Sequence, residues 1–356
     1  MARLDSFLRI VSDQRASDLH LHAGNVPVIR HDGELINLPF RVLSALETER
    51  FLHEILSAEQ RAQLEAERQL DLMYVIPELG RFRANLFRKN GGLGAVFRII
   101  PDHRPTLDEI GMPPVVKRLS DLGNGLVIVT GPTGSGKTTT LAAMVHEINL
   151  RSERHIITIE DPIEFVHEPV KSAITQREVG RHTESFAAGL RSALREAPDV
   201  LVIGEMRDQE TVQLALSAAE TGVLVLGTLH TNSAAKAIDR IIDAVPAEVR
   251  EQTRGGLSVL LRAVIAQHLL RRASGDGRVV APEILLVSHA VANLIRENKV
   301  HQIEAYLQTA SDGSQSLDAC LLRLVAEGRV TVAEALTVAD YPDQLKRQVA
   351  SLPEDA

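Results

Sequence analysis

The chain has few of the residues on which small secreted proteins and membrane proteins depend. It contains 356 residues, with one cysteine (Cys320), no tryptophan and 3% aromatic residues. A single cysteine permits neither an internal disulfide nor a Cys-x-x-Cys zinc site, and it is most compatible with a reducing compartment. No run of about 18 apolar residues predicts a membrane span, and the charged N-terminus lacks the apolar segment of a signal peptide. We therefore expect a cytoplasmic protein, which could still dock on a membrane complex.

Positive charge is also in short supply. The chain has 39 Lys and Arg against 47 Asp and Glu, a formal net charge of −8. Proteins that follow nucleic acid with their main surface normally show a basic footprint, so this balance argues against a nucleic-acid partner. Hydrophobic residues nevertheless make up 44% of the chain, enough for ordinary cores. The length predicts two or three domains.

Residues 1–100 are typical of a small α+β domain. SDLHLHA alternates like a strand, and VPVIRHDGELINL is typical of a hairpin with Asp32 and Gly33 at its turn. Two helical segments and further strands with glycine-rich turns follow. Residues 101–114 contain proline and glycine without periodicity, so we predict the interdomain linker there.

Residues 115–290 predict a P-loop core with a mostly parallel sheet. Apolar strands at LVIVT, IITIE, VLVIGE and VLVLGTLHT alternate with helical segments, which indicates parallel strands with helices on both faces. Beyond Pro246 the sequence predicts mainly helices, interrupted by one strand at VVAPEILLVS. Residues 291–356 are then a helical C-terminal region, in which TVAE at 331–334 fits a capping box.

The segment GPTGSGKTTT at residues 131–140 fits the complete phosphate-binding pattern G-x-x-x-x-G-K-[ST], between a strand and a helix. Glycines let backbone amides approach phosphates without Cβ clashes. Lys137 supplies positive charge to the β and γ phosphates, and the Thr138 hydroxyl can ligate Mg²⁺. We therefore predict that ATP and Mg²⁺ bind here. The residues predicted to hold the nucleotide are Gly131, Pro132, Thr133, Gly134, Ser135, Gly136, Lys137, Thr138 and Thr139.

Other strand ends supply the remaining candidates. VLVIGE ends in Glu205, which could polarise the attacking water as a general base. This strand lacks the carboxylate that usually supports Mg²⁺. We therefore expect carboxylates of the segment EDPIEF to take that role, and this segment contains Glu160, Asp161 and Glu164. His230 in GTLHTN could sense the γ-phosphate, because strand ends in a parallel sheet face the ligand crevice. The alternative for EDPIEF is a solvated turn, and the alternative for His230 is a structural role without contact to the nucleotide. The candidate Mg²⁺ ligands, acting partly through water, are Thr138, Asp161 and Glu164.

An arginine-rich stretch precedes the P-loop core. GRFRANLFRK and AVFR contain Arg81, Arg83, Arg88 and Arg98. On a strand, Arg81 and Arg83 share one face, and guanidinium groups suit phosphate oxygens. These arginines could close onto ATP as arginine fingers. A basic surface face explains the same spacing equally well.

Four ordered motifs resemble those of a known superfamily. GPTGSGKT, ITIEDPIEFVH, DVLVIGEMRD and GTLHTNSA resemble the Walker A, Asp, atypical Walker B and His boxes of secretion ATPases. Within this superfamily, the chain most resembles the retraction ATPases of type IV pili. Three further segments match the pattern of that family: ASDLHLHAG, GRFRANLF and SHAVANLIRENKVHQI. The resemblance extends from Ser17 to about Ala339. It implies a PAS-like N-terminal domain, a RecA-like core with ATP between the two, and a hexameric ring.

The resemblance also implies roles and partners. Glu205 would be the catalytic base. The Walker B box of the superfamily also ends in Gly-Glu, so Gly204 does not indicate an inactive enzyme. The residues with implied catalytic roles are Glu205, Glu160, Glu164, His230, Arg83, Arg98 and Arg81. The implied partners are an inner-membrane pilus platform protein, which would bring the ring to the inner face of the cytoplasmic membrane, and an accessory paralogous ATPase.

One position departs from the family pattern and leaves the subtype open. In AVANLIRE, residues 290–297, Ala292 replaces the first arginine of the retraction motif. An accessory retraction ATPase therefore remains an alternative. An assembly or secretion motor of the same superfamily is a second alternative, which the single cysteine disfavours because many of those relatives carry a four-cysteine zinc element. A nucleic-acid translocase is disfavoured by the acidic balance and the lack of aromatic stacking residues. A non-hydrolysing nucleotide sensor is disfavoured because Lys137, Thr138 and Glu205 are all present.

Overall fold

The computed structural model describes residues 2–14, 16–31, 33–77, 79–100 and 104–352. The chain divides into two compact units, residues 1–103 and 104–356. Three sequence predictions fall partly outside the described residues. They concern Asp32 in the hairpin turn, residues 101–103 of the linker and the last four residues of the C-terminal region.

The first unit is an antiparallel six-stranded sheet with helices. The strand order is β3-β2-β1-β6-β5-β4. Ser44 and Ser57 each begin a helix with a complete capping box, which accounts for the two predicted helices. The strands are β1 Asp18–His22, β2 Val28–His31, β3 Glu34–Asn37, β4 Gln69–Ile76, β5 Gly80–Lys89 and β6 Gly92–Ile100. The helices are α1 Leu4–Asp13, α2 Ala45–His53 and α3 Ala58–Glu67.

The second unit is built on a seven-stranded sheet in the order β13-β12-β7-β11-β10-β8-β9, in which every neighbouring pair except β12 and β13 is parallel. Separate apolar clusters cover its two faces. The strands are β7 Gly125–Thr130, β8 His155–Glu160, β9 Ala173–Glu178, β10 Val200–Ile203, β11 Leu224–Thr228, β12 Leu261–Arg271 and β13 Arg278–Leu286. The α-helices are α4 Pro114–Leu119, α5 Lys137–Arg151, α6 Phe186–Ala193, α7 Gln209–Glu220, α8 Ala234–Asp243, α9 Arg250–Leu260, α10 His289–Arg296, α11 Ile303–Thr309, α12 Leu317–Ala326, α13 Val332–Leu336 and α14 Pro342–Ala350, and the 3-10 turns are Ala247–Val249 and Val300–Gln302.

The predicted α/β class with a mostly parallel sheet is confirmed, but the prediction of helix after Pro246 is wrong for one segment. Residues 261–271 form β12, which runs parallel to β7. Most of β12 is buried, and a strand covered on both faces shows a continuous apolar run without a period of two. Such a run cannot be told from a buried helix by periodicity. The following strand at VVAPEILLVS is present as β13, and the named elements after it in the described residues are helices, with one isolated β-bridge from Gln315 back to Ile284.

The predicted capping box at 331–334 is half present. Thr331 caps α13 by accepting a hydrogen bond from the Glu334 amide. The Glu334 carboxylate, however, accepts from the backbone amide of Arg271 at the end of β12. Among the described residues, no helix combines the length and apolar character that crossing a membrane requires.

Candidate active site

The phosphate-binding segment forms the turn between β7 and α5. Gly131 follows the last residue of β7 with φ of 149°. A Cβ atom there would lie 2.4 Å from the carbonyl oxygen of Gln267, so the backbones of the loop and β12 touch. Gly136 has φ of 87° and immediately precedes α5. Both positions therefore require glycine, one for close approach and the other for the left-handed conformation.

Lys137 is enclosed by this loop. Its side chain is 9% exposed, and Nζ donates to the carbonyl oxygens of Gly131 at 2.8 Å and Pro132 at 3.0 Å. Burial lowers the pKa of the lysine, and the negative charge of Glu205 opposes that shift. A cation held by loop carbonyls at a helix N-terminus is well placed to meet phosphate oxygens.

A cavity of about 40 Å³ lies beside the first turn of α5. Thr138 and Glu160 both line it, with Thr158 and Thr228. Apolar side chains, among them Leu141, Val145 and Phe165, form much of the remaining lining. Hydroxyl and carboxylate oxygens are the ligands that Mg²⁺ prefers, so Thr138 and Glu160 are the donors that this cavity offers to that ion. Asp161 and Glu164 are not among the described residues that line the cavity.

Glu160 is fixed by polar neighbours of the same sheet. Its Oε1 accepts hydrogen bonds from Thr158 Oγ1 at 2.6 Å and Gln176 Nε2 at 3.0 Å. The same Gln176 amide group donates to the Phe165 carbonyl, and its oxygen accepts from the His167 amide. Thus β9 holds the segment that follows β8 against the cavity.

His167 also lines this cavity and is buried. Burial, assisted by the positive charges of Arg104 and His146, lowers its pKa to about 4. The imidazole is therefore neutral near pH 7 and adds no charge beside Glu160.

Glu205 and His230, predicted from separate strand ends, are brought together. Glu205 lies just beyond β10 and His230 just beyond β11. His230 Nε2 is 2.8 Å from Glu205 Oε1, and Arg207 Nε is 2.5 Å from the same oxygen. The Glu205 side chain is 16% exposed, whereas those of His230 and Arg207 are 44% and 72% exposed. The carboxylate is thus held by partners that remain accessible to solvent.

Threonine hydroxyls tie the ends of the central strands together. Thr130 Oγ1 donates to the Thr231 carbonyl at 2.7 Å and accepts from the Thr231 amide at 2.8 Å. Thr228 Oγ1 donates to the carbonyl of Gly204. These bonds connect β7, β10 and β11 where the P-loop, Glu205 and His230 begin, so the candidate residues share a braced frame.

In the first unit, the predicted arginines share one sheet face. Arg83 on β5 pairs directly with Arg98 on β6, and Arg81 lies two residues before Arg83. Arg98 lies opposite Asp18 of β1, and its Nε donates to Asp18 Oδ1 at 2.8 Å. Arg88 pairs instead with Glu65 on α3.

Sequence reasoning missed three polar residues of the second unit. Arg207 stands two residues after Glu205 in DVLVIGEMRD, and this proximity was its available signal. Gln176 lies on β9, which carries no strong strand pattern. Gln267 contacts the P-loop from β12, and the prediction of helix there concealed it.

A parallel sheet with a P-loop between β7 and α5, and with Glu205 and His230 at neighbouring strand ends, defines a RecA-like P-loop ATPase. Residues 8–352 match the family model described as Type II/IV secretion system protein. The chain belongs to this family, and the predicted resemblance to secretion ATPases is confirmed.

Individual relatives are similar over nearly the full chain. The type IV pilus retraction ATPase PilT of Pseudomonas aeruginosa is 50% identical over 343 residues, covering 96% of this chain and 99% of that protein. The type IV pilus ATPase PilU of the same organism is 37% identical, covering 97% and 91%. A crystal structure of the pilus retraction motor PilT with bound ADP has a TM-score of 0.89 and 43% identity, covering 98% of this chain and 99% of that one.

Proposed function

We propose that this protein is an ATP-hydrolysing motor that retracts type IV pili. The observation that carries the proposal is the position of the Glu205 carboxylate, which lies 2.8 Å from His230 Nε2. Hydrogen bonds of Thr228 and Thr130 connect the strand ends that carry these two residues to the end of β7, where the complete P-loop begins. The similarity to PilT, at 50% identity, exceeds that to PilU, at 37%, and supports retraction over the accessory role.

The nucleotide would be held by the P-loop residues 131–139. Lys137 Nζ would exchange its loop carbonyls for phosphate oxygens, and the backbone amides at the start of α5 would bind the same group. Thr138 and Glu160 would hold Mg²⁺, which supplies charge neutralisation when bound. Asp161 and Glu164 remain candidates for contacts through water.

Glu205 would act as the general base. Its carboxylate would accept the proton of the attacking water. His230 Nε2 and Arg207 Nε point at the same carboxylate oxygen, so they orient it and leave the second oxygen for the water. Arg81, Arg83 and Arg98 would meet the phosphates from a first unit, where the sheet places them on one face.

The biological setting proposed is a homohexameric ring at the inner face of the cytoplasmic membrane. It would act on an inner-membrane pilus platform protein, with an accessory paralogous ATPase as a further partner. The proposed division is an N-terminal domain at 1–100, a linker at 101–114, a RecA-like core at 115–290 and a helical region at 291–356. Membrane association would arise through partners, and no nucleic acid is required.

Turnover of ATP by the purified protein is the first test. Glu205→Gln should lower the rate by about 10²–10⁴-fold, since it removes the proton acceptor while the P-loop still binds nucleotide. Glu196→Gln is the matched control, because Glu196 is also a partly exposed carboxylate paired with an arginine, Arg177, at 3.0 Å. Equal rates for wild type and Glu205→Gln would show that Glu205 is not the base.

The direction of the motor is tested in the cell. Deleting the gene should leave more surface pili and abolish surface motility, and Glu205→Gln should fail to restore it. Loss of pili would instead indicate an assembly motor, and an unchanged number an accessory ATPase. Ala292 is partly exposed on α10, which packs against α9. Ala292→Arg should therefore leave ATP turnover unchanged and report only on coupling to the pilus machinery.

A further inference from the structure

Gln267 lies where the P-loop meets strand β12. Its side chain is 1% exposed. The amide nitrogen Nε2 donates to the carbonyl oxygen of Ser135 at 2.6 Å, and the amide oxygen Oε1 accepts from Thr140 Oγ1 at 2.9 Å. One end of this amide therefore holds the loop, and the other holds the first turn of α5.

The backbone of Gln267 is equally close to the loop. The preceding residue, Ala266, pairs with Thr130 of β7 in parallel register, which places Gln267 beside Gly131. The Gln267 carbonyl oxygen would be 2.4 Å from a Cβ at Gly131, and its Nε2 would be 3.3 Å from one at Gly136. Both ends of the glycine loop thus lie against a single residue of β12.

The bond to Ser135 fixes the orientation of one peptide group of the loop. In a planar trans peptide, the carbonyl of Ser135 and the N–H of Gly136 point in opposite directions. Holding the carbonyl toward β12 turns this N–H to the other side, into the concave face where a P-loop receives phosphate. The Ser135 carbonyl can only accept a hydrogen bond, so it selects the Nε2 end of the Gln267 amide, and the Thr140 hydroxyl then donates to the remaining amide oxygen.

We propose that Gln267 is a positioning residue for nucleotide binding: it keeps the Ser135–Gly136 peptide in the orientation that binds phosphate, without itself touching the nucleotide. This inference rests on the proposed nucleotide site. It adds to that site a residue from β12, which none of the four sequence boxes contains.

The test is the affinity for a fluorescently labelled ADP together with steady-state ATP hydrolysis. Gln267→Leu should raise the Kd for ADP and the KM for ATP about tenfold each. The kcat should stay within about threefold of the wild type, because the loop binds phosphate equally in the ground state and in the transition state. Gln267→Met keeps a similar length, stays uncharged and offers Thr140 a weak acceptor, but it gives the Ser135 carbonyl no donor, so its Kd should rise by a similar factor. Thr140→Val should raise the Kd by about two- to threefold.

Asn149→Leu is the matched control. Asn149 is a buried amide on the same helix, 1% exposed, and both of its ends are used, by the Glu168 carbonyl and the Val170 amide. It lies twelve residues beyond Lys137 on α5, about 18 Å along the helix. It should lower the thermal unfolding temperature as Gln267→Leu does but leave the Kd unchanged.

Two results would overturn the proposal. One is a Kd for both Gln267 variants within twofold of the wild type. The other is an equal rise in Asn149→Leu, which would reveal general destabilisation. Failure of the wild type to bind ADP would overturn the proposed function itself, and is distinguishable because it precedes any variant. If Gln267→Leu does not fold, Gln267→Met, which is close to glutamine in length and carries no charge, carries the decision.

Discussion

The two sheets of this protein bury their strands in different ways. Along β5 of the first unit, Phe82, Ala84 and Leu86 are fully buried, while the residues between them are only partly buried. Along β7 of the second unit, all six residues are buried. The first pattern belongs to an antiparallel sheet with its core on one face, and the second to a parallel sheet covered on both.

This difference determines where each unit can place polar side chains. The first sheet has a second face, and it carries a cross-strand row in which Arg30, Asp18, Arg98 and Arg83 are neighbours. The central strands β7, β10 and β11 of the second sheet have no such face, so their polar groups lie at the strand ends. Phosphate chemistry in the second unit is therefore confined to one edge of the sheet, whereas the first unit can present arginines from the middle of its strands.

Polar substitutions at adjacent strand positions should show the largest effect. Val127→Asn and Ile128→Asn, both at fully buried positions of β7, should each destabilise the second unit by about 3 kcal/mol or more, because either face buries an unpaired amide. On β6, Phe97→Asn should be comparably harmful, but Val96→Asn should cost about 1 kcal/mol or less. Urea unfolding followed by circular dichroism gives these values, and a harmless Val127→Asn or Ile128→Asn would contradict two-sided burial.

The same contrast explains what the sequence could predict. The alternation of the first sheet and the apolar runs of β7, β10 and β11 are local signals, and so is the P-loop, whose residues are consecutive. Strand ends of a parallel sheet meet at one edge, so the sequence alone predicts that Glu205 and His230 lie on the same edge of the sheet. Their 2.8 Å contact bears out that proximity.

What the sequence did not predict depends on contacts between distant segments. β12 is buried on both faces and shows no period of two, so Gln267 was not placed beside Ser135, 132 residues away. The choice among Glu160, Asp161 and Glu164 depends on side-chain direction after β8. Only the structure shows that Glu160 lines the cavity with Thr138. The pairing of Arg83 with Arg98 likewise required the register of β5 and β6.

Each sheet also buries one carboxylate, in opposite electrostatic settings. Asp18 on β1 is 2% exposed and contacts Arg98 at 2.8 Å and Arg30 at 3.7 Å. Glu283 on β13 is 5% exposed and accepts a hydrogen bond from the Ala234 amide at 2.7 Å. Burial, reinforced by the charges of Asp340, Glu304 and Asp318, raises the pKa of Glu283 to about 7.

The second prediction concerns the pH dependence that follows for Glu283. Its folded pKa lies above the unfolded value of about 4.3, so its protonated form favours folding at low pH. That contribution is lost as pH rises through about 7. Glu283→Gln keeps an acceptor for Ala234 and cannot ionise. Relative to the wild type, its stability should increase by about 2.5 kcal/mol between about pH 5 and about pH 8, and the two proteins should be equally stable only at about pH 4 and below.

Asp18→Asn is the opposing variant, since it removes a charge that has cationic partners. Because the Arg98 side chain is 65% exposed, solvent screens the pair, and the loss should be only about 1 kcal/mol at about pH 8. Urea unfolding at both pH values measures the two variants. If Glu283→Gln proved less stable than the wild type at about pH 8, ionised Glu283 would have to be stabilised in the fold, against the stated direction of its pKa.

The smallest expected effect compares helix caps of the two units. Ser44 Oγ accepts from the Glu47 amide at 3.3 Å, and Glu47 Oε2 accepts from the Ser44 amide at 3.0 Å and from Ser44 Oγ at 2.7 Å. Ser44→Ala and Thr331→Ala should each cost about 1 kcal/mol. In double-mutant cycles, Ser44 and Glu47 should couple by about 0.5 kcal/mol because their side chains touch. Thr331 and Glu334 should be additive within about 0.3 kcal/mol, since the Glu334 carboxylate bonds to Arg271 instead. Coupling of the second pair as large as that of the first would mean that Glu334 closes its own capping box in solution.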